Sequence, residues 1–284
     1  MQKVFGEYNY TFSELEQRVE ELGSFQWPAD EMHHMYKRLL GVIDLTTLEG
    51  SDTGEKVKTL CRQARFSLLD PGLPDAAAVC VYPSLVGYAR KELVGTGIRI
   101  ASVAGGFPAG QTGLRIKLEE VRFAIDEGAD EIDTVISRGK LIEGAENQVF
   151  DEISAIREAC GISHLKVILE TGELPSVALI RKASELAVLA GADFIKTSTG
   201  KIATGATPAA FLVMLDTIGE YLEKTGKAVG IKPAGGIRTP SQAMLFAELI
   251  AGVLGEHWLT RDFFRIGASS LAGELIKIIN DQAS

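Results

Sequence analysis

The sequence predicts an α/β protein, a (β/α)8 TIM barrel with an N-terminal helical extension. Eight short apolar runs alternate with helical patterns between residues 42 and 268, and this alternation is typical of a parallel sheet. Eight such units within about 240 residues close into a barrel. An open, doubly wound sheet is the alternative, but no G-x-G-x-x-G motif follows the first run.

The predicted strands lie between turn residues and capped helices. They span residues 42–46, 77–82, 98–104, 131–137, 165–170, 194–198, 229–234 and 264–268. Thr53, Thr207 and Thr239 stand where helix N-caps are expected, and a proline follows the last two at the first helical position. Gly128 and Gly191 each precede an Ala-Asp pair, where a left-handed glycine would end the preceding helix.

An acidic, helix-prone extension covers residues 1–40. Thr11 and Glu14 have the spacing of a capping box ahead of a first helix, and a second helix is predicted over residues 30–40. A cap on the lower face of the barrel and a dimer contact are both open as its role. Because the sequence has no linker or break in composition, we predict a single domain over residues 1–284.

The composition argues against several classes of function. A net charge of −9 leaves no electrostatic footprint for nucleic acid, and no apolar run of 18 residues is present to span a membrane. The three cysteines and four histidines show no metal-ligand spacing, so we expect neither a metal nor another cofactor. The N-terminus has no signal pattern, so the protein is expected to be soluble and cytoplasmic.

Lys196 follows the apolar residues Phe194 and Ile195 in the sixth predicted strand. A buried ammonium group costs several kcal/mol unless it is paired or loses its proton. A lysine that has lost its proton is a nucleophile, and it forms Schiff bases with carbonyl compounds. The alternative is a lysine at the strand edge that reaches solvent or a phosphate group.

Charged residues occur on five of the predicted strands, at Asp44, Asp133, Lys166, Lys196 and Lys232. The strand period of two turns Asp133, Lys166 and Lys232 away from their apolar neighbours, and we expect the Asp and Lys side chains to converge inside the barrel, whose active sites lie at the C-terminal ends of the strands. Desolvation and a second cation, Lys232, would lower the pKa of Lys196. Asp133 would hold the charged partner and transfer protons, while Asp44 and Lys166 would hold the others in position.

A phosphate site is predicted in the loops after strands seven and eight. Barrels commonly bind phosphate there through backbone N–H groups, and glycines allow the close approach. Serine hydroxyls add donors, and basic side chains add positive charge. The predicted phosphate-binding residues are Gly200, Lys201, Gly235, Gly236, Arg238, Gly267, Ser269 and Ser270.

Two further residues are candidates for supporting roles near these groups. Thr46 ends the first predicted strand, and Cys80 lies within the second. Cys80 could line the site, but a small buried hydrophobic residue is the simpler interpretation.

Seven segments, in this order, resemble the class I, metal-independent deoxyribose-phosphate aldolases. They are IDLTTL (43–48), VCVYP (79–83), GFPAGQ (106–111), LKVILETGEL (165–174), FIKTSTGK (194–201), KPAGG (232–236) and RIGASS (265–270). The resemblance runs from Asp44 to about Leu271 and leaves the N-terminal extension uncovered.

The resemblance implies reversible cleavage of 2-deoxy-D-ribose 5-phosphate to D-glyceraldehyde 3-phosphate and acetaldehyde. It implies that Lys196 forms the Schiff base, that Lys232 perturbs it and that Asp133 belongs to the proton relay. Some members of the family end in a tyrosine that assists proton transfer, whereas this chain ends in NDQAS (280–284). That role would then fall to Asp133, Lys232 and water. The expected partner is a small phosphosugar, and we expect a homo-oligomer, preferably a dimer.

Other functions compete with this interpretation. Another lysine-dependent barrel aldolase could act on a different phosphorylated sugar, because one barrel fold hosts many chemistries. A phosphosugar-binding regulator would keep the phosphate loops without catalysis. Every candidate catalytic position is filled in this sequence, which favours an enzyme over a regulator.

Overall fold

The structure is a computed structural model that describes residues 4–25 and 27–283. Residues 1–3 and Gln26 of the predicted extension lie outside the described residues, as does Ser284 at the end of the chain.

Eight parallel strands form one sheet in the order β7-β6-β5-β4-β3-β2-β1-β8. They are β1 (Ile43–Thr46), β2 (Ala78–Val81), β3 (Arg99–Ala104), β4 (Glu131–Val135), β5 (His164–Ile168), β6 (Phe194–Lys196), β7 (Gly230–Lys232) and β8 (Ile266–Ala268). Two bridges, Ile231 to Phe264 and Ala234 to Gly267, join the two ends of this order and close the circle. The predicted (β/α)8 barrel is confirmed.

Helices follow every strand and surround the barrel. They are α1 (Phe12–Leu22), α2 (Ala29–Gly41), α3 (Gly54–Gln63), α4 (Val86–Leu93), α5 (Leu114–Asp126), α6 (Arg138–Ile142), α7 (Glu146–Cys160), α8 (Val177–Leu189), α9 (Pro208–Thr225), α10 (Pro240–Leu254) and α11 (Leu271–Ala283). Within the described ranges, no helix is both long enough and apolar enough to cross a membrane.

The predicted helix caps are confirmed. Thr53, Thr207 and Thr239 each accept a hydrogen bond from a backbone N–H group in the first turn of α3, α9 and α10 respectively. Gly128 and Gly191 have φ angles of 106° and 91°, in the left-handed region that glycine adopts without strain. Each helix therefore starts or stops where its local sequence satisfies the free backbone groups.

Most of the predicted strands extend too far at their C-terminal ends. The predicted sixth strand continued to Ser198, but β6 ends at Lys196. Beyond that point the chain is still buried, yet Ser198 donates a hydrogen bond to the carbonyl of Ala234 instead of continuing the ladder. Apolar and buried sequence therefore continues into the loops at this end of the barrel, where it cannot be distinguished from strand by composition alone.

The N-terminal extension packs on the outer helices, with α1 against α9 and α10. Asp216 of α9 accepts hydrogen bonds from the Tyr8 hydroxyl at 2.6 Å and the Arg18 guanidinium at 2.7 Å. The guanidinium of Arg181 in α8 lies 5.0 Å from the ring centre of Phe5 and 4.9 Å from that of Tyr8. The extension thus covers the outer surface of the barrel near α8, α9 and α10.

Gly230 provides a test of the packing inside this barrel. A Cβ atom at Gly230 would overlap the ring of Phe194 on the neighbouring strand, whereas a Cβ at Gly273 in α11 would meet open space. We expect Gly230→Ala to destabilise the protein by about 1–3 kcal/mol through overpacking. Gly273→Ala is the matched control, and alanine on a helix should leave stability equal or slightly higher. Thermal unfolding midpoints compare the two, and equal midpoints would contradict this account of the packing.

Candidate functional site

The charged side chains predicted to point into the barrel do so. Asp44, Asp133, Lys166 and Lys232 are fully buried, and Lys196 is 3% exposed. Their apolar neighbours in the strands pack on the opposite side, in the core under the helices. The strand period of two, applied to five separate strands, is therefore sufficient to place the charges together.

Asp133 on β4 is the centre of this cluster. Its Oδ2 atom accepts hydrogen bonds from Lys196 at 2.8 Å and Lys232 at 2.9 Å, and its Oδ1 atom accepts one from Lys166 at 2.9 Å. Burial alone would raise the pKa of this carboxyl, but the three lysine side chains around it outweigh burial and hold the pKa well below its usual value. Asp133 is therefore an ionised acceptor throughout the neutral pH range.

The pKa values of Lys196 and Lys232, which both bond Oδ2 of Asp133, are shifted in opposite directions. Burial lowers the pKa of Lys196, the cation of Lys232 lowers it further, and the opposing effect of Asp133 does not restore it. Burial acts in the same sense on Lys232, but Asp133 and Asp44 outweigh it and raise the pKa of Lys232 above its usual value. The surroundings therefore favour the ammonium form of Lys232 and make loss of the proton easier for Lys196.

Asp44 and Lys166, which were predicted to hold the other charged residues in position, make direct contacts within the cluster. Lys166 donates to Glu131 at 2.5 Å as well as to Asp133. Asp44 accepts hydrogen bonds from Lys232 at 2.5 Å and from Arg265 at 2.7 Å. Lys166 thus contacts Asp133 as closely as the two lysines that were expected to be its partners.

A cavity of about 650 Å³ opens above this cluster, at the C-terminal ends of β1, β6, β7 and β8. Lys196 and Thr46 line it, together with all eight residues predicted to bind phosphate: Gly200, Lys201, Gly235, Gly236, Arg238, Gly267, Ser269 and Ser270. Gly235 and Gly236 have φ angles of 83° and 85°, which leaves their backbone exposed to the cavity without a side chain. Ser269 and Ser270 immediately precede α11, whose N-terminus favours an anion.

Basic side chains surround the mouth of the cavity. The ammonium of Lys201 lies 2.9 Å from the carboxylate of Glu49, and the Lys56 ammonium bonds Asp52 at 2.5 Å. The guanidinium of Arg238 has no carboxylate partner within the described part of the chain. A phosphate group entering here would meet one unpaired cation and two that can exchange partners.

Cys80 lies in an apolar cluster with Leu48, Ala101 and Val103, against the rings of Tyr82 and Phe107. Burial, with a contribution from Asp133, raises the pKa of the Cys80 thiol to about 11. The thiol therefore stays protonated and acts as a small hydrophobic group beside the charged cluster.

No group of three or more His, Cys, Asp or Glu side chains is arranged to hold a metal ion in the ranges that the structure describes.

The aldolase family model DeoC/LacD matches residues 38–259. The chain belongs to the DeoC/LacD family of aldolases. It is 49% identical over 245 residues to a deoxyribose-phosphate aldolase from Mus musculus, a match that covers 82% of this chain and 77% of the mouse protein.

Solved structures agree with the assignment to the DeoC/LacD family. The apo form of a Toxoplasma gondii ME49 protein, provisionally assigned as a deoxyribose-phosphate aldolase, matches with a TM-score of 0.79 at 27% identity, over 89% of this chain and 98% of that one. Deoxyribose phosphate aldolase from Aeropyrum pernix, described as tetrameric, matches with a TM-score of 0.67 at 25% identity, over 91% of this chain and 99% of that one.

Two buried members of the charged cluster were missed in the sequence of this DeoC/LacD protein. Glu131 lies two residues before Asp133 on the same strand, so the same period of two should have placed it inside the barrel. Arg265 immediately precedes β8, two residues before Gly267, which lines the cavity. Glu131 and Arg265 are both fully buried. A charged residue two positions from another inward residue is the signal that could have found them.

A third missed interaction supports the loop after β6 in this DeoC/LacD protein. Glu170 is fully buried and accepts hydrogen bonds from the backbone N–H of Thr199 at 3.0 Å and from its hydroxyl at 2.5 Å. Thr199 in turn accepts from the backbone N–H of Lys201 at 3.1 Å. These bonds fix the direction in which the loop presents Gly200 and Lys201 to the cavity.

The cysteines provide a test of burial in this DeoC/LacD protein. Burial raises the pKa of Cys61 and Cys160 to about 12, and that of Cys80 to about 11. Because only the thiolate reacts, we expect no alkylation of any of the three by iodoacetamide at pH 8 in the native protein, and alkylation of all three in denaturant. Mass spectrometry of intact protein and peptides measures both states. Rapid native labelling of Cys80 would show that its thiol faces the cavity.

Proposed function

We propose that this DeoC/LacD protein cleaves 2-deoxy-D-ribose 5-phosphate reversibly to D-glyceraldehyde 3-phosphate and acetaldehyde, through a Schiff base on Lys196. The observation that carries the proposal is the position of the Lys196 amine. It lines the cavity, its pKa is lowered, and a permanent cation, Lys232, shares its carboxylate partner. A lysine amine with a lowered pKa, at the floor of a cavity lined by the predicted phosphate loops, suits covalent chemistry on a phosphorylated aldehyde.

The reaction begins when the Lys196 nitrogen attacks the C1 aldehyde of the open-chain sugar, and loss of water gives an iminium ion. A base removes the proton of the C3 hydroxyl, the C2–C3 bond breaks, and its electron pair neutralises the iminium to give an enamine. D-glyceraldehyde 3-phosphate leaves. The enamine carbon takes up a proton, and water releases acetaldehyde and the free lysine.

Asp133 and Lys232 supply the proton transfers in this proposal. Asp133 stays ionised and accepts hydrogen bonds from three lysine side chains, so it can hold a protonated partner without taking the proton permanently. Lys232 has a raised pKa and stands 2.9 Å from the same carboxylate as Lys196. A water held between these groups and the substrate would carry the proton over the remaining distance.

The C5 phosphate would bind in the loops after β6, β7 and β8. Gly235, Gly236, Ser269 and Ser270 line the cavity near the start of α11, where their backbone N–H groups would bind the phosphate, and Lys201 and Arg238 would provide positive charge. Anchoring the substrate at C5 would fix the distance between its aldehyde and Lys196, which is the usual contribution of a remote binding group to catalysis.

We also propose a homo-oligomer, preferably a dimer, and a cytoplasmic location. The tetrameric relative from Aeropyrum pernix supports assembly. Three free cysteines, Cys61, Cys80 and Cys160, suit a reducing compartment. Light scattering coupled to size-exclusion chromatography measures the assembly.

Acetaldehyde trapping tests the Schiff base. We expect incubation with acetaldehyde and borohydride to place one ethyl group on Lys196, because its amine is the buried lysine amine most ready to lose its proton. Peptide mass spectrometry locates the label. Lys196→Ala should lose both the label and cleavage of 2-deoxyribose 5-phosphate. Ethyl groups on many surface lysines, with Lys196 unmodified, would contradict a Schiff base on Lys196.

Lys201→Gln tests the phosphate assignment. We expect the KM for 2-deoxyribose 5-phosphate to rise about tenfold through loss of a charge-assisted hydrogen bond, with little effect on unphosphorylated 2-deoxyribose. Lys224→Gln, at a solvent-exposed position on α9, is the matched control and should change neither value. Steady-state kinetics on both sugars measures the result, and an equal loss on both would argue against a phosphate contact.

A further inference from the structure

Six buried charged groups inside the barrel form a closed ring in which acid and base alternate. The six successive contacts are Asp133 to Lys166 at 2.9 Å, Lys166 to Glu131 at 2.5 Å, Glu131 to Arg265 at 2.9 Å, Arg265 to Asp44 at 2.7 Å, Asp44 to Lys232 at 2.5 Å, and Lys232 back to Asp133 at 2.9 Å. All six residues are fully buried. We name these six residues the charge ring.

The charge ring is neutral without Lys196. Its three carboxylates match its three cations, and each member contacts a group of opposite charge on both sides. Lys196 lies outside the ring, and among the described residues its side chain forms an ion pair with one ring member alone, Asp133, at 2.8 Å. An ammonium on Lys196 would be the seventh buried charge and would have no counter-charge of its own.

We propose that the neutrality of the charge ring keeps Lys196 in its amine form, and that Arg265 and Glu131 are positioning residues for the reaction. Neither residue contacts Lys196. Arg265 acts through Asp44 and Lys232, and Glu131 acts through Lys166 and Asp133. The proposal rests on the proposed function, in which Lys196 must be neutral to attack an aldehyde.

The other groups near Lys196 and the ring do not upset this balance. Burial keeps the Cys80 thiol beside Lys196 protonated, and so uncharged, at neutral pH. At the opposite end, Arg99 bonds Glu131 at 3.1 Å, but it also contacts Asp262 at 3.4 Å and is partly exposed to solvent. Burial and Arg99 lower the pKa of His164, so this histidine is neutral as well.

Stability does not explain the charge ring. Barrel interiors are usually filled with branched apolar side chains, and buried ion pairs often contribute no more than hydrophobic residues of the same volume. Replacing one partner, in contrast, leaves an unpaired buried charge whose field reaches the neighbouring groups. The charge ring is therefore without net charge only when it is complete, and any imbalance would act on the protonation of Lys196.

Two single substitutions at a distance from Lys196 should shift its pKa in opposite directions. Arg265→Met removes a cation and leaves the ring with one negative charge, which favours the Lys196 ammonium and raises its pKa by about one unit. Glu131→Gln removes an anion and leaves one positive charge, which lowers the pKa by a similar amount. The double variant Glu131→Gln/Arg265→Met has two anions and two cations left, so the pKa should return towards the wild-type value.

The pKa of Lys196 can be measured in every variant without relying on turnover. The rate of reductive methylation by formaldehyde, followed at the Lys196 peptide from pH 5 to 10, gives the fraction of free amine. In parallel, the acid limb of the pH profile of kcat/KM should move up in Arg265→Met and down in Glu131→Gln. Arg265→Lys keeps the charge and should retain the wild-type profile.

The outcomes separate this proposal from the proposed function. Shifts in the same direction, or no shift in variants whose circular dichroism is native, would overturn the role of the charge ring even if the wild type cleaves the sugar. Opposite shifts in a protein without cleavage activity would keep the charge ring and remove the proposed function. If Arg265→Met does not fold, adding it to Glu131→Gln should still raise the pKa relative to Glu131→Gln alone.

Discussion

The carboxylate of Asp133, shared among three lysines, is the interaction on which the site depends. These lysines come from β5, β6 and β7, and β7 is three strands away from β4 in the sheet. A contact of 2.9 Å between Asp133 and Lys232 is possible only because the sheet curves into a closed barrel. The contacts of Asp133 therefore depend on the closure of the barrel, because a barrel that opened would separate this carboxylate from its lysine partners.

Much of this arrangement could be predicted from the sequence, because its signals are local and periodic. Strand-helix alternation identified eight strands, and the period of two placed Asp133, Lys166 and Lys232 on the inner side. Asp44 and Lys196 were identified as charged residues within apolar strands. The loops that line the cavity were predicted because barrels commonly bind phosphate in the loops after strands seven and eight, where this sequence has glycine pairs and serines. The strand ends were predicted less well, since the loops above the barrel are as buried and apolar as the strands themselves.

The partners within the cluster could not be predicted, because they depend on register. Asp133 lies opposite Lys166 and Lys196 lies opposite Lys232 only through the stagger between neighbouring strands of a closed barrel. Lys166 was therefore expected in a supporting role, although its ammonium bonds Asp133 directly. Arg265 was missed for a related reason: it lies within the predicted strand 264–268, but its partners Asp44 and Glu131 come from other strands and reach it only in the closed barrel.

The ion pair between Lys201 and Glu49 has a consequence for selectivity at the cavity mouth. It joins the loop after β1 to the loop after β6 across the entrance, and both side chains are partly exposed, so the pair contributes little to stability. A hydrogen bond from Lys201 to an uncharged sugar would be weaker than its existing ion pair with Glu49. A dianionic phosphate offers twice the charge together with the backbone donors behind it. If the phosphate binds as proposed, Glu49 would compete with it for Lys201, so that doubly charged ligands would be favoured over neutral ones.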